Sequence, residues 1–152
     1  MLKENTKIKN LKFKISTSNF FNTQDLSGKK SIIYFYPKDD TPGCTKEAIN
    51  FSDKINDFSS LNTQIFGISR DSPEKHEKFK KKHDLKVNLI SDDGEITEYF
   101  GVWVQKSMYG KKYMGIERST FVIDEQLKIL KIWRNVKVSG HVEEVLDFIK
   151  NI

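Results

Sequence analysis

Twice along this chain a short run of β-forming apolar residues gives way, across a polar loop, to a hydroxyl side chain followed directly by proline. The first run is SIIYFY, Ser31–Tyr36, and its loop PKDDTPGC carries Thr41-Pro42; the second is QIFGIS, Gln64–Ser69, followed by Ser72-Pro73. A short continuous apolar run suits a strand buried on both faces. Thr or Ser before Pro marks a helix start, the first as N-cap and the second as N1 residue with its φ already set. Strand–helix units in succession imply a parallel pairing with a crossover.

The remaining segments extend this α/β pattern. Cys44, Ala48, Phe51, Ile55 and Phe58 recur at helical spacing and predict one apolar helix face. A second helix from Ser72 carries His76, Phe79 and the lysine run Lys78–Lys82. Val87–Ile90 reads as a short strand, Glu95–Phe100 as a short helix and Gly101–Glu117 as an ordered loop. Ser119–Ile123 and Leu127–Trp133 read as two strands joined at Asp124-Glu125-Gln126. A last helix starts near Gly140, with Val142, Val145, Leu146 and Ile149 inward, and alternation around Leu11, Phe13 and Ile15 predicts an edge hairpin. The expected architecture is a central mixed β-sheet flanked by helices on both faces. With 152 residues and no repeat or linker, residues 1–152 are read as a single domain.

The N-terminus MLKENTKIKN lacks the apolar core of a signal peptide. No run approaches the ~18 apolar residues of a membrane span. The expected address is cytoplasmic, which a lone cysteine suits. A net charge of +5 could attract nucleic acid, but the lysines are interleaved with Asp and Glu. The Lys78–Lys82 run is read as a solvated helix face, and no nucleic-acid or membrane partner is expected.

In open α/β sheets, sites gather beyond the carboxyl ends of the strands, where Cys44 falls. A thiol in the first turn of a helix has its anion stabilised by free N–H groups and the macrodipole. Thr41 places a hydroxyl nearby, and Pro42 would shield the sulfur from water. Spacing alone equally allows Cys44 to be a small buried hydrophobe.

The motif weighs on this choice. Pro37-x-x-x-Thr41-x-x-Cys44 resembles the peroxidatic signature of the peroxiredoxins, and FYPKDDTPGCTKEA (Phe35–Ala48) resembles the bacterioferritin comigratory protein or peroxiredoxin Q subfamily. So do GISRDSPEKHEKFKKKH, LISDDGE, MYGKKYMGIERSTFVID and VSGHVEEVLDFIK, which together reach almost to the C-terminus. The resemblance implies a thioredoxin-like fold and a thiol peroxidase acting on hydrogen peroxide and organic hydroperoxides. It implies Cys44 as the nucleophile, Thr41 hydrogen-bonded to peroxide and thiolate, Arg118 beside the sulfur, and Pro37 completing the signature. Pro42 and the N–H groups of Gly43 and Cys44 would meet the substrate. The sulfur would become a sulfenic acid, with no metal or organic cofactor, in a monomer.

The chain departs from the subfamily in one respect. Where many members carry a resolving cysteine, five residues after the first, this chain has Ile49, and Cys44 is its only cysteine. An internal disulfide is impossible. An external thiol must act as reductant (thioredoxin, glutaredoxin or a small thiol), or a second Cys44.

Other features are set aside. His76, His83 and His141 lack metal-ligand spacing with the cysteine and are read as surface or structural. Asp39-Asp40 and Asp92-Asp93 are read as loop and cap residues. Trp103 and Tyr109 could wall the peroxide entrance or pack in the core. Two alternatives remain. A disulfide reductase lacks its C-x-x-C pair. A basic binding module with a non-catalytic Cys44 is not excluded by fold alone.

Overall fold

In a computed structural model, which describes residues 2–152, the strand that precedes Cys44 lies deep in the sheet. It is β3 (Lys30–Phe35), five of whose six residues are buried. The elements before it are β1 (Lys12–Lys14), β2 (Phe20–Asn22) and a 3₁₀ turn (Thr23–Leu26). After it come α1 (Pro42–Asp53), α2 (Ile55–Ser60), β4 (Thr63–Ser69), α3 (Pro73–His83), β5 (Asn88–Ser91) and α4 (Glu95–Tyr99). The chain continues through β6 (Trp103–Met108), β7 (Lys111–Ile116), β8 (Ser119–Ile123), β9 (Ile129–Trp133) and α5 (His141–Lys150).

Seven strands form one sheet in the order β2-β1-β5-β4-β3-β8-β9. β3 pairs parallel with β4, and β4 with β5, as the two strand–helix units require. β8 returns antiparallel on the other side of β3, and β1 and β2 form the edge hairpin. The sheet is mixed, as expected from the closing hairpin.

Period-two alternation along β3 separates two cores. Ile33 and Phe35 join Phe13, Phe66, Ile68, Phe100 and Phe121 on one face. Ile32, Tyr34 and Tyr36 join residues of α1, α2, α3 and α5 on the other, Cys44 among them. Helices lie on both faces as expected, but unevenly: among the α-helices α4 supplies Ile96 to the first core, and Ile8, Leu11, Leu26, Val102 and Ile116 from outside the α-helices complete its cover.

Two expectations need correction. The apolar face from Cys44 to Phe58 is not one helix, because the Lys54 N–H donates back to Phe51 O and Ser52 O and tightens the turn between α1 and α2. Phe51 and Phe58 remain buried across the break, whereas Ile55 is only half-buried. The segment read as a loop is instead the β6–β7 hairpin, with six cross-strand pairs from Trp103↔Ile116 to Met108↔Lys111. Its two-residue turn has positive φ at both Tyr109 (51°) and Gly110 (79°), the signs of a type I′ connection.

Candidate active site

α1 begins where the sequence places it. Thr41 is the extended N-cap (φ −91°, ψ 155°) and Pro42 is the first helical residue. Thr41 does not cap with its side chain. Its hydroxyl donates to Lys38 O at 2.8 Å, and it is the Thr41 carbonyl that accepts from Thr45 N–H at 2.8 Å. The N–H groups of Gly43 and Cys44 precede that bond and have no acceptor within the helix. Cys44 is 2% exposed, its sulfur held behind the protein surface.

Arg118 lies between β7 and β8, its carbonyl accepting from Val136 N–H at 2.9 Å. Its guanidinium spans two acceptors on α1. Nη2 donates to Cys44 Sγ at 3.3 Å and Nη1 to Glu47 Oε1 at 2.6 Å. Gly43 makes room for this approach: a Cβ there would stand 3.3 Å from Arg118 Nη2. Burial opposes the guanidinium charge, but Glu47 and Cys44 outweigh it and hold Arg118 above the ordinary arginine range.

Glu47 was not among the residues singled out from the sequence. It is fully buried, and burial pushes its carboxyl up to about 7 against the pull of Arg118. Its second oxygen has no hydrogen-bond partner among the described residues. The available signal was its position three residues after Cys44, which puts both on one helix face. An acid on an otherwise apolar stripe needs a cation to accompany it inward.

A cleft of about 400 Å³ opens over Arg118, lined also by Pro37, Val104, Lys106, Glu117 and Asn135. Pro37 and Arg118 thus share this cleft, Gly43 and Cys44 lie against the Arg118 guanidinium, and Thr41 and Pro42 precede them at the start of α1 without lining the cleft. Lys106 is held below the ordinary lysine range by burial first and by the Arg118 charge second.

The features set aside have structural partners. His76 is buried, with Nδ1 2.7 Å from Asp39 Oδ2 and Nε2 3.1 Å from Ile90 O. Asp40 pairs with Lys82 and His83, which hold its carboxyl low. Asp92 accepts from the Ile96 and Thr97 N–H groups, both at 2.9 Å, and caps α4. His141 is paired with Thr120 Oγ1 at 2.8 Å and pushed down to about 4 by burial and then by Arg118. Trp103 carries the Arg70 guanidinium 3.4 Å above its ring, and Tyr109 is 99% exposed at the hairpin tip, which rules out core packing for it. Among the described residues no group of three or more His, Cys, Asp or Glu could hold a metal ion.

This arrangement can be set beside known proteins. The AhpC/TSA family model matches residues 5–132. The chain belongs to the AhpC/TSA family. Peroxiredoxin Bcp of Bacillus subtilis is 50% identical over 129 residues, covering 84% of this chain and 82% of that protein. The solved PrxQ of Xylella fastidiosa, a Cys-to-Ser mutant, superposes with a TM-score of 0.94 at 35% identity, covering 99% and 97% of the two chains. The bacterioferritin comigratory protein of Xanthomonas campestris, whose trapped intermediate and ligand complexes concern alkyl peroxide reduction, gives 0.87 at 38% identity over 93% and 90%. This AhpC/TSA member is a Bcp/peroxiredoxin Q-type chain, a thiol-dependent peroxidase, and with one cysteine it draws on an external thiol. No described helix is long and apolar enough to cross a membrane.

Proposed function

We propose that Cys44 is the peroxidatic nucleophile of a single peroxiredoxin domain spanning residues 1–152. The observation that carries this reading is the 3.3 Å contact from Arg118 Nη2 to Cys44 Sγ in the first turn of α1. A guanidinium that keeps its proton gives the sulfur a fixed donor and a positive partner.

Hydroperoxide enters the cleft beside Pro37. The thiolate attacks the terminal peroxide oxygen, an S–O bond forms and the O–O bond breaks. Cys44 is oxidised to sulfenic acid, and the leaving oxygen takes up a proton from water to depart as alcohol or water. Arg118 and the N–H groups of Gly43 and Cys44 stabilise charge shared between the two oxygens. The Thr41 hydrogen is committed to Lys38 O, which leaves its lone pairs to accept from the peroxide O–H. Pro42 covers the sulfur from the solvent side. Hydrogen peroxide and organic hydroperoxides both satisfy this geometry, since only the O–OH group is gripped. Thioredoxin, glutaredoxin and small thiols are the candidate reductants, for a monomer acting in the cytoplasm.

Peroxide consumption with dithiothreitol tests the reading. Wild-type protein should turn over and Cys44→Ser should not. Turnover by Cys44→Ser at the wild-type rate would remove Cys44 from the chemistry and leave the basic binding module as the better account.

A further inference from the structure

Among the described residues the β6–β7 hairpin is paired with no other strand, and its outer half shows apolar side chains to solvent. Met108 is 57% exposed, Tyr113 44% and Met114 50%. Register and alternation place Val104, Lys106, Met108, Lys111 and Tyr113 on one face of this ribbon. That face begins inside the cleft, where Val104 and Lys106 are wall residues, and runs outward to Met108 and Tyr113. The Lys106 stem lies across Gly115, where a Cβ would meet its Cδ at 3.2 Å and the Tyr113 ring at 3.5 Å. The face is therefore a continuous path from the hairpin tip to Arg118.

From Trp103 to Ile116 the hairpin carries Lys106, Lys111 and Lys112 and no Asp or Glu. Exposed aromatic and Met side chains flanked by charges of one sign mark a protein-recognition surface. A second copy of the chain is a poor occupant, because it would bring the same lysines and a net charge of +5. Lys106, already burdened by burial and by Arg118, gains from a negative neighbour.

We propose that this hairpin face docks an acidic dithiol protein, which reduces the Cys44 sulfenic acid. The proposal rests on the peroxidase reading above and names the partner that reading requires. One thiol of the partner attacks the oxidised sulfur, forming a mixed disulfide and releasing the oxygen as water. Its second thiol then attacks its own sulfur in that bond, so Cys44 leaves as the reduced thiol and the partner as a disulfide. Because Cys44 is 2% exposed, the partner must be held at the cleft while the start of α1 opens.

The test compares an acidic thioredoxin with dithiothreitol as reductant, in wild type and in the double variant Lys111→Glu/Tyr113→Ser. Neither residue lines the cleft. The KM for thioredoxin should rise about tenfold in the variant, while turnover with dithiothreitol stays within about twofold. Added salt should raise the wild-type KM for thioredoxin and leave the variant's less affected. An unchanged KM for thioredoxin would overturn the proposal. So would wild-type turnover with dithiothreitol but none with thioredoxin, an outcome that leaves the peroxidase reading intact. Absence of turnover with either reductant would instead overturn the peroxidase reading on which the proposal stands.

Discussion

Arg118 holds the sulfur with one nitrogen and Glu47 with the other, so its position is defined by a fork rather than by charge alone. A lysine keeps the charge and loses the fork. Arg118→Lys should slow peroxide reduction about 10²-fold, the scale of losing one preorganised donor. Stopped-flow measurement of the oxidation step decides this, and an unchanged rate would take Arg118 out of the chemistry. Glu47 makes a separate prediction about stability. Its folded carboxyl titrates at about 7 rather than 4.5, so between those values the native state holds a proton that the unfolded chain has lost. Stability therefore falls as pH rises through that window, by up to ~3 kcal/mol. Glu47→Gln keeps an acceptor for Arg118 but does not titrate. Denaturant unfolding from pH 4.5 to 8 should show the wild type losing ground to this variant as pH rises. Parallel profiles would contradict the assignment. Of these two residues the sequence yields only Arg118, through its motif. Glu47 carries no mark of its own until the helix face of Cys44 is known to turn inward against an arginine 71 residues away.

At the scale of elements, the β3–β4 pair sets the floor under α1. Tyr34 stands opposite Gly67 in the parallel register. A Cβ at position 67 would lie 2.6 Å from the Tyr34 ring and 2.7 Å from its hydroxyl. Tyr34 is fully buried and stacked on Phe51 at 4.6 Å, so it has nowhere to retreat. Gly67→Ala should cost about 1–3 kcal/mol by overpacking, read from denaturant midpoints at constant slope. No loss of stability would mean that the ring can move and that the floor is softer than drawn. Strands such as β3 and β4 were legible in the sequence because burial on both faces leaves a continuous apolar run. The β6–β7 hairpin was not, because most of its side chains stay exposed or half-exposed and no alternation distinguishes its faces. Its turn was equally mute: Tyr-Gly lacks the Asn or Asp that usually signals positive φ at the first position.

Across the whole molecule, the strand order, the helix start at Thr41-Pro42 and the return of β8 beside β3 bring Pro37, Gly43, Cys44 and Glu47 together with Arg118. The motif singled out Cys44 and Arg118, which the fold brings to 3.3 Å, and the β/α alternation placed Cys44 beyond the end of the first core strand. Neither could give the fork of Arg118 or the hidden position of the sulfur, since both depend on packing between segments far apart in sequence. The central claim is that one sulfur carries the whole redox cycle, with no partner thiol in the chain. Intact mass measurement after one equivalent of peroxide tests it most directly. Monomeric protein should gain one oxygen, lose it on addition of dithiothreitol, and gain none in Cys44→Ser. Excess peroxide should carry it on to two and three oxygens, which dithiothreitol does not remove. An added oxygen that persists in Cys44→Ser, or a wild-type mass unchanged while peroxide is consumed, would contradict the account.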